Sequence, residues 1–210
     1  MADNYLEKRY EETFGTKKVV KRVGHTLDEL LLANRSTRGY NKDYVVSCSQ
    51  LEQIVRVCSR IPSACNQQVL RFRIVTRDSG ADRLLPLLKM GAALPELHLP
   101  LPGTEPEAFI VVCSSVAESK LVDIDLGVAA QSMLLKAVEI GLRGLIIGAF
   151  NRDKVKTELQ LPFDPLLVIA IGKGSEHIEL VPSTLDAPRA YYRRDGVHFV
   201  PKLQLQDLLV

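Results

Sequence analysis

The sequence lacks the residue patterns of common metal and redox sites. Its four cysteines, Cys48, Cys58, Cys65 and Cys113, have no CxxC spacing, and its four histidines are too scattered to complete a zinc site. We therefore expect no bound metal, and we interpret the cysteines as ordinary buried thiols.

An excess of one charge and an apolar leader are also missing. With 27 basic and 25 acidic residues the net charge is only +2, which argues against a nucleic-acid-binding protein with a broad basic face. The basic run KKVVKR, residues 17–22, is more typical of a solvated segment than of a binding patch. Residues 1–15 contain no apolar run for a signal peptide or membrane span, so we expect a cytoplasmic protein without membrane partners.

Length and composition predict one domain. A chain of 210 residues with 46% hydrophobic residues is long enough to bury a full core. We interpret residues 1–25 as an N-terminal arm or extra helix and residues 26–210 as the domain. Helices alternate with strands along it, which predicts an α+β fold with helices on both faces of a sheet. No GxGxxG follows the first strand, so the dinucleotide-binding fold has no support.

Local patterns predict the individual elements. Thr26 with Glu29, and Ser49 with Glu52, form capping boxes for two helices, and Pro62 ends the second. Asp123 or Asp125 is expected to cap a long helix that Gly141 ends. The other predicted elements are a half-buried strand at 70–74, a helix at 81–90, a central strand at 109–113, strands at 144–147 and 166–171 around a short helix capped by Asn151, and a last helix from about Leu203.

Two polar stretches carry the candidate chemistry, and the first is NRSTRGY, residues 34–40. It places Arg35, Ser36 and Arg38 close together. Two guanidinium groups and a hydroxyl suit a phosphate or another anion, because arginine makes bidentate charge-assisted hydrogen bonds. Paired arginines are also common on solvated surfaces, so this stretch alone leaves both interpretations open.

The second stretch, RIPSACNQQVLRF at residues 60–72, contains no acid and no histidine between a helix and a strand. Pro62 fixes the chain, and Ser63 and Asn66 offer neutral groups that suit a planar heterocycle with carbonyls and ring nitrogens. Serine and asparagine also act as caps and turn formers, so a purely structural role is an alternative.

Together the two stretches resemble the FMN-dependent nitroreductase family, whose motifs run RRSxR and PSxxNxQP. GLRGLIIGAFN, residues 141–151, is similar to the family's strand and loop against the flavin, and residues 168–172 to its last core strand. The resemblance covers most of residues 26–202 and implies a three-layer α/β/α fold with a mixed central sheet. Asn34 and Val69 depart from the family's first arginine and last proline.

The resemblance also implies an FMN site and a role for each matching residue. Arg35 and Ser36 would lie at the phosphate and ribityl end, and Arg38 at the pyrimidine edge of the ring. The remaining candidates are Pro62, Ser63 and Asn66 along the flavin, Gly148 and Ala149 near its N5 atom, and Arg193 or Lys202 at the phosphate. No protein residue is assigned as catalytic, because the flavin carries the chemistry.

The activity implied by the resemblance is hydride transfer from NADH or NADPH, through flavin N5, to a nitroaromatic, a quinone or a similar acceptor. The family implies a homodimer with flavin sites at the interface, for which we expect residues 125–142 to form the core. Loops such as residues 90–105 would shape the acceptor pocket. The departures at Asn34 and Val69 leave a flavin-binding protein without significant turnover as an alternative, and a domain without flavin as another.

Overall fold

The computed structural model describes residues 24–91 and 97–210. The predicted N-terminal arm lies almost entirely outside the described residues, and the predicted acceptor loop lies partly outside them. The helices are α1 (Leu27–Ala33), α2 (Cys48–Arg56), α3 (Ala81–Leu84), α4 (Lys120–Glu139), α5 (Arg152–Glu158) and α6 (Leu205–Leu208). The strands are β1 (Leu70–Val75), β2 (Ala108–Ser114), β3 (Arg143–Ile147), β4 (Asp164–Gly172), β5 (His177–Ser183), β6 (Tyr192–Arg194) and β7 (Val197–Leu203).

A four-stranded sheet in the order β1–β2–β4–β3 forms the centre of the fold. The inner strands β2 and β4 are buried almost throughout, as expected for apolar runs that are covered on both faces. All pairings in this sheet are antiparallel, so the expectation of a mixed central sheet is wrong for these strands. Parallel pairing occurs at an isolated bridge between Ser36 and Gly144 and in a smaller sheet, β5–β7–β6.

Two hydrophobic clusters cover opposite faces of the central sheet. Phe109 and Val111 on β2 point into a cluster that includes residues of α3 and α5. Ile110 and Val112 point into the other cluster, which includes residues of α2 and α4. Successive side chains of a strand alternate between faces, so one apolar run supplies both cores. None of the helices among the described residues has the length and apolar character to cross a membrane.

Helix α4 begins earlier than the sequence predicts. The Ser119 hydroxyl accepts a hydrogen bond from the Val122 amide and caps the helix. Asp123 therefore lies in the first turn, and Asp125 is buried and accepts a hydrogen bond from the Ala64 amide at 2.8 Å. The predicted cap at Asp123 or Asp125 is wrong, because a serine supplies the same acceptor one turn upstream.

The end of α4 confirms the role of Gly141. This residue has φ of +79°, the left-handed conformation that glycine adopts at little cost. The amides of Gly141 and Leu142 donate to the carbonyls of Val138 and Ala137, the hydrogen bonds of a Schellman motif. The chain then turns directly into β3, which lies at the edge of the sheet.

The predicted capping box is confirmed at the first helix and wrong at the second. The box of Thr26 and Glu29 is present at α1. At α2 the box consists of Ser47 and Gln50, two residues before the predicted pair, so that Cys48 is the first helical residue and is exposed. Cys65 is exposed as well, so the expectation of buried thiols is wrong for Cys48 and Cys65. Of the four cysteines only Cys113 is fully buried.

The smaller sheet near the C-terminus was not predicted. Strand β5 pairs with β7 in parallel, and β6 pairs with β7 in an antiparallel hairpin. Its two-residue loop, Asp195 and Gly196, has φ values of +52° and +79°, as a type I′ turn requires. The predicted last helix is reduced to the four residues of α6.

Candidate functional site

The NRSTRGY loop, residues 34–40, runs from α1 along the free edge of β3. The Thr37 amide donates to the Gly144 carbonyl at 3.1 Å, beside the bridge between Ser36 and Gly144. Tyr40 is buried, its hydroxyl donates to the Thr37 carbonyl at 2.6 Å, and burial raises the pKa of Tyr40. The loop is therefore fixed against the sheet on both sides of Arg38.

A cavity of about 350 Å³ opens between this loop, α4 and the smaller sheet. We call it the arginine cavity, because Arg35, Ser36, Arg38 and Lys202 all line it. None of the described residues that line it is acidic. Three cations without a carboxylate among them suit an anionic ligand.

Arg38 is the most enclosed of these cations, with only 8% of its surface exposed. Its Nη1 donates to the Ser36 carbonyl at 3.1 Å and lies 3.5 Å from Nε2 of His198. The guanidinium carbon lies 4.5 Å from the centre of the Tyr191 ring, a cation–π distance. The Arg38 amide also donates to the Glu176 carboxylate. These contacts fix the guanidinium without using all of its donors.

Several buried nitrogen atoms around the cavity have no hydrogen-bond partner among the described residues. They are the Nε atoms of Arg35 and Arg38 and the Nδ1 atom of His198. Burial also lowers the pKa of Arg35. Each unpaired buried donor costs about 1–3 kcal/mol, and more for a charged group. A ligand with several acceptor oxygens would relieve this cost, so the cavity fits a phosphorylated group such as that of FMN.

The two C-terminal candidates for the phosphate differ in their surroundings. Lys202 lines the arginine cavity and forms no ion pair with a described residue. Arg193 is not among the lining residues and pairs with Glu176, whose side chain is only 8% exposed. Burial, and then the charge of Arg38, lower the pKa of Arg193. Lys202 is thus the cation with its charge available to the cavity.

The second polar stretch lies elsewhere in the chain. Pro62 and Ser63 line a separate cavity of about 380 Å³ between α2, β1 and α4, with mostly apolar walls. No described residue lines both cavities. Both border α4, however: Asp125 and Ala129 contact this cavity, and Gln131 contacts the arginine cavity.

The backbone of this stretch is strained. Cys65, Asn66 and Gln68 have φ values of +49°, +52° and +50°. Such conformations cost on the order of 1–3 kcal/mol each and cluster at functional sites. The loop is fixed by the Ala64 amide on Asp125 and by the Gln68 amide, which donates to the Ser63 hydroxyl at 3.2 Å. Asn66 lies in this loop but does not line the cavity.

Gly148 and Ala149 are exposed immediately after β3. A Cβ atom at Gly148 would have no heavy atom within 4 Å, so the space beside it is open. The Ala149 carbonyl accepts a hydrogen bond from the Lys89 amide at 2.9 Å. Neither residue lines the two cavities, although Ile146, at the end of the same strand, lines the arginine cavity.

The two departures from the family motifs each have a structural contact. The Asn34 side chain donates to the Gln131 side chain at 3.3 Å, which ties the loop to α4. Val69 is buried against Val122 and Leu166. Its carbonyl accepts hydrogen bonds from the amide and hydroxyl of Ser115. Val69 therefore contributes to the core at a position where proline is the family's usual residue.

Sequence reasoning missed Glu176, Tyr191 and His198, which all come from the smaller sheet or the loops beside it. The signal was present in the Asp-Gly pair at 195–196, which follows YYRR and precedes the alternating VHFV. An Asp-Gly pair between such stretches predicts a β-hairpin. That hairpin would have placed Tyr191 and His198 near each other.

Comparisons with known proteins agree with this fold. The chain is similar in structure to a nitroreductase family protein from Streptococcus pneumoniae, at 18% identity and a TM-score of 0.59, over 78% of this chain and 96% of that one. It is also similar to a candidate nitroreductase in complex with FMN from Exiguobacterium sibiricum, at 20% identity and a TM-score of 0.59, over 72% and 90%. A third is a candidate NAD(P)H:FMN oxidoreductase from Staphylococcus epidermidis, at 16% identity and a TM-score of 0.61, over 78% and 92%.

At these identities the structural likeness shows the fold alone. The sequence also shows the family, because a model of the nitroreductase family matches residues 31–173. This match contains the NRSTRGY loop, the strained loop and the whole central sheet, and it ends before the smaller sheet. The chain therefore belongs to the nitroreductase family.

Proposed function

We propose that this protein is an FMN-dependent oxidoreductase that uses NADH or NADPH to reduce a nitroaromatic, a quinone or a similar acceptor. The observation that carries the proposal is the arginine cavity, where Arg35, Arg38 and Lys202 meet without an acid and with unpaired Nε atoms. FMN carries a dianionic phosphate and further acceptor oxygens on its ribityl chain and pyrimidine ring, which together suit this positive charge and these unpaired donors. The similar structure in complex with FMN, and the one described as a candidate NAD(P)H:FMN oxidoreductase, support the same cofactor.

When bound, FMN supplies the hydride chemistry, which needs no protein nucleophile or acid–base pair. Arg35, Ser36 and Lys202 would hold the phosphate and ribityl end, and the enclosed Arg38 would hold the pyrimidine edge. Pro62, Ser63 and Asn66 would line the ring. Gly148 and Ala149 would lie near flavin N5, since both residues are exposed and a Cβ atom at Gly148 would meet no heavy atom within 4 Å. Arg193 would help to position Arg38 through its ion pair with Glu176, whose other carboxylate oxygen accepts a hydrogen bond from the Arg38 amide.

A homodimer would bring the two separate cavities together. Helix α4 has an uncovered stripe with Leu121 and Ile124 half-exposed and open space beside Gly127. In a two-fold symmetric dimer the same surface of each chain faces the other, so the two copies of α4 would cross in opposite directions. If the two-fold axis passes near Gly127, the part of α4 around Asp125 lies close to the part around Gln131 of the partner subunit. The strained loop of one chain would then meet the arginine cavity of the other, within the three-layer arrangement of a cytoplasmic protein.

The first test is the visible spectrum of the purified protein. We expect a yellow protein with close to one FMN per chain, which bleaches on anaerobic addition of NADH or NADPH and recovers when an acceptor is added. A protein that holds FMN but does not bleach would be the flavin-binding alternative without turnover. A colourless protein that takes up no added FMN would contradict the proposal.

A further inference from the structure

His198 has no assigned role, yet it lies in the wall of the arginine cavity. It is on β7, only 2% of its surface is exposed, and its ring centre lies 5.1 Å from that of Tyr191. Strand β7 lies beyond residues 31–173, the part of the chain that matches the family. The residue is therefore contributed by a segment outside the part of the chain that the family model matches.

The neighbours of His198 determine where its ring carries a proton. Arginine nitrogens only donate hydrogen bonds, so Nε2, which lies 3.5 Å from Nη1 of Arg38, faces a donor and must be the acceptor. Burial, and then the charges of Arg38 and Arg193, lower the pKa of His198 to about 4, so the ring is neutral near pH 7. A neutral ring with an unprotonated Nε2 carries its hydrogen on Nδ1.

This Nδ1–H is one of the buried donors without a partner. Arg35 and Arg38, whose Nε atoms are also buried and unpaired, line the same cavity. An isolated unpaired donor in the core would only destabilise the fold. Several unpaired donors on one cavity instead indicate a ligand that accepts hydrogen bonds from all of them.

We propose that His198 is a cofactor-binding residue, whose Nδ1–H donates to an acceptor oxygen of the bound flavin nucleotide beside Arg38. This inference rests on the proposed function, since it takes FMN as the ligand. It adds a neutral donor to the cationic set and makes the smaller sheet part of the site. Its competitor is a purely positioning role, in which His198 only accepts a hydrogen bond from Arg38.

Two amide variants distinguish these roles, because each preserves a different end of the ring. In His198→Asn the side-chain amide lies close to the position of Nδ1, and its NH₂ can donate in place of Nδ1–H. In His198→Gln the amide reaches the position of Nε2, and its oxygen can accept from Arg38. The matched control is His177→Ala on β5, where the ring is exposed and pairs with Glu179 outside the arginine cavity.

The experiment measures the FMN dissociation constant of flavin-free wild type and variants by flavin fluorescence, with circular dichroism to check folding. We expect His198→Gln to bind FMN roughly tenfold more weakly, His198→Asn to stay within about threefold, and the control to match the wild type. Parallel titrations with riboflavin, which lacks the phosphate, identify the acceptor oxygen. If the variant loses affinity for FMN alone, the acceptor is on the phosphate. If it loses affinity for both ligands, the acceptor is on the rest of the molecule.

If His198→Asn binds FMN more weakly than His198→Gln, or if neither variant changes the FMN affinity, the proposed role of His198 is overturned. The proposed function stays intact in these cases as long as the wild type binds FMN. If both variants bind weakly, ¹⁵N spectra of the labelled wild type decide. A protonated Nδ1 of His198 whose resonance shifts on FMN addition supports the inference, and an unprotonated or unresponsive Nδ1 overturns it. A wild type that binds no FMN would instead contradict the proposed function itself.

Discussion

The guanidinium of Arg193 forms an ion pair with Glu176, whose other carboxylate oxygen accepts a hydrogen bond from the backbone amide of Arg38. One buried carboxylate thus connects the smaller sheet to the NRSTRGY loop. It also neutralises Arg193, so that the positive charge left for a ligand in the arginine cavity comes from Arg35, Arg38 and Lys202. The position of Arg38 therefore depends on a residue outside both family motifs.

Glu176→Gln should destabilise the fold by about 2 kcal/mol, because it leaves the part-buried Arg193 without its counter-charge. The measurement is the free energy of unfolding from urea denaturation. The control is Glu179→Gln, which removes an exposed pair with His177 and should cost less than about 0.5 kcal/mol. Equal effects of the two substitutions would show that the Glu176 pair does not hold the smaller sheet in place.

Arg38→Ala should lower the midpoint potential of the bound flavin by roughly 30–65 mV and leave FMN bound. A reduced flavin carries more negative charge, so a cation at the pyrimidine edge stabilises the reduced form. Arg35→Ala is the matched variant, and it should weaken FMN binding more than it shifts the potential, because the charge of a phosphate does not change on reduction. Spectroelectrochemistry gives both potentials, and fluorescence titration gives both dissociation constants.

The outcome that contradicts this assignment is specific. An unchanged potential in Arg38→Ala together with a large loss of FMN would place Arg38 at the phosphate end. Because Arg38 also contacts Tyr191 and His198, thermal unfolding of each flavin-free variant must show that the fold is retained.

Elements with a clear local signal were predictable from the sequence. The alternation of Leu70, Phe72 and Ile74 with arginines predicts β1, and the unbroken run FIVVC predicts the buried β2. Caps were less predictable, since several serines and acids near one helix start can all supply the acceptor. At α4, Ser119 takes the role predicted for Asp123 or Asp125, and the Asp125 carboxylate instead accepts a hydrogen bond from the Ala64 amide, a tertiary contact that the local sequence does not indicate.

The site was predictable only where its residues belong to short motifs. The motif residues Arg35, Ser36 and Arg38 do share one cavity. Pro62 and Ser63 line a different cavity, because one chain alone places the two motifs at different parts of α4. The Asp-Gly pair indicates the hairpin that carries His198, but the place of this residue beside Arg38 was not predictable, since it depends on a contact between residues 160 positions apart in the chain.

Lys202→Met should raise the FMN dissociation constant roughly tenfold and leave riboflavin binding unchanged. Methionine keeps the apolar stem of lysine and removes the charge, so the loss reports the phosphate contact alone. The control is Arg194→Met, which removes a cation that lies over the Phe199 ring and does not line the cavity. A loss of riboflavin binding in Lys202→Met would contradict a role restricted to the phosphate.

Ile124→Glu should convert the proposed dimer to a monomer and release FMN. The side chain is 52% exposed on α4, and a carboxylate in an apolar interface is strongly unfavourable without a partner. Light scattering coupled to size exclusion measures the mass, and absorbance of the same peak measures the flavin. Thr157→Glu on α5, which packs on the opposite face of the sheet, adds the same charge as a control. A monomeric wild type with full flavin occupancy would contradict the dimer.

The stability of the flavin-free protein should fall between about pH 6.5 and pH 4 more steeply in the wild type than in His198→Asn. Burial and the charges of Arg38 and Arg193 lower the pKa of His198 from 6.5 to about 4 in the folded state. Over this range the unfolded chain takes up a proton that the folded chain does not, so the free energy of unfolding decreases as the pH falls. The slope for one group is at most about 1.4 kcal/mol per pH unit, and it vanishes below the folded pKa.

Urea denaturation at several pH values between about 7 and 4 measures this dependence, and the difference between wild type and variant removes the contribution of the carboxylates, which is common to both. His177→Asn, where the ring is exposed on β5, should keep the wild-type slope. If His198→Asn shows that slope too, the ring of His198 is not held neutral by burial and by the charges of Arg38 and Arg193, and the assignment of its hydrogen to Nδ1 fails.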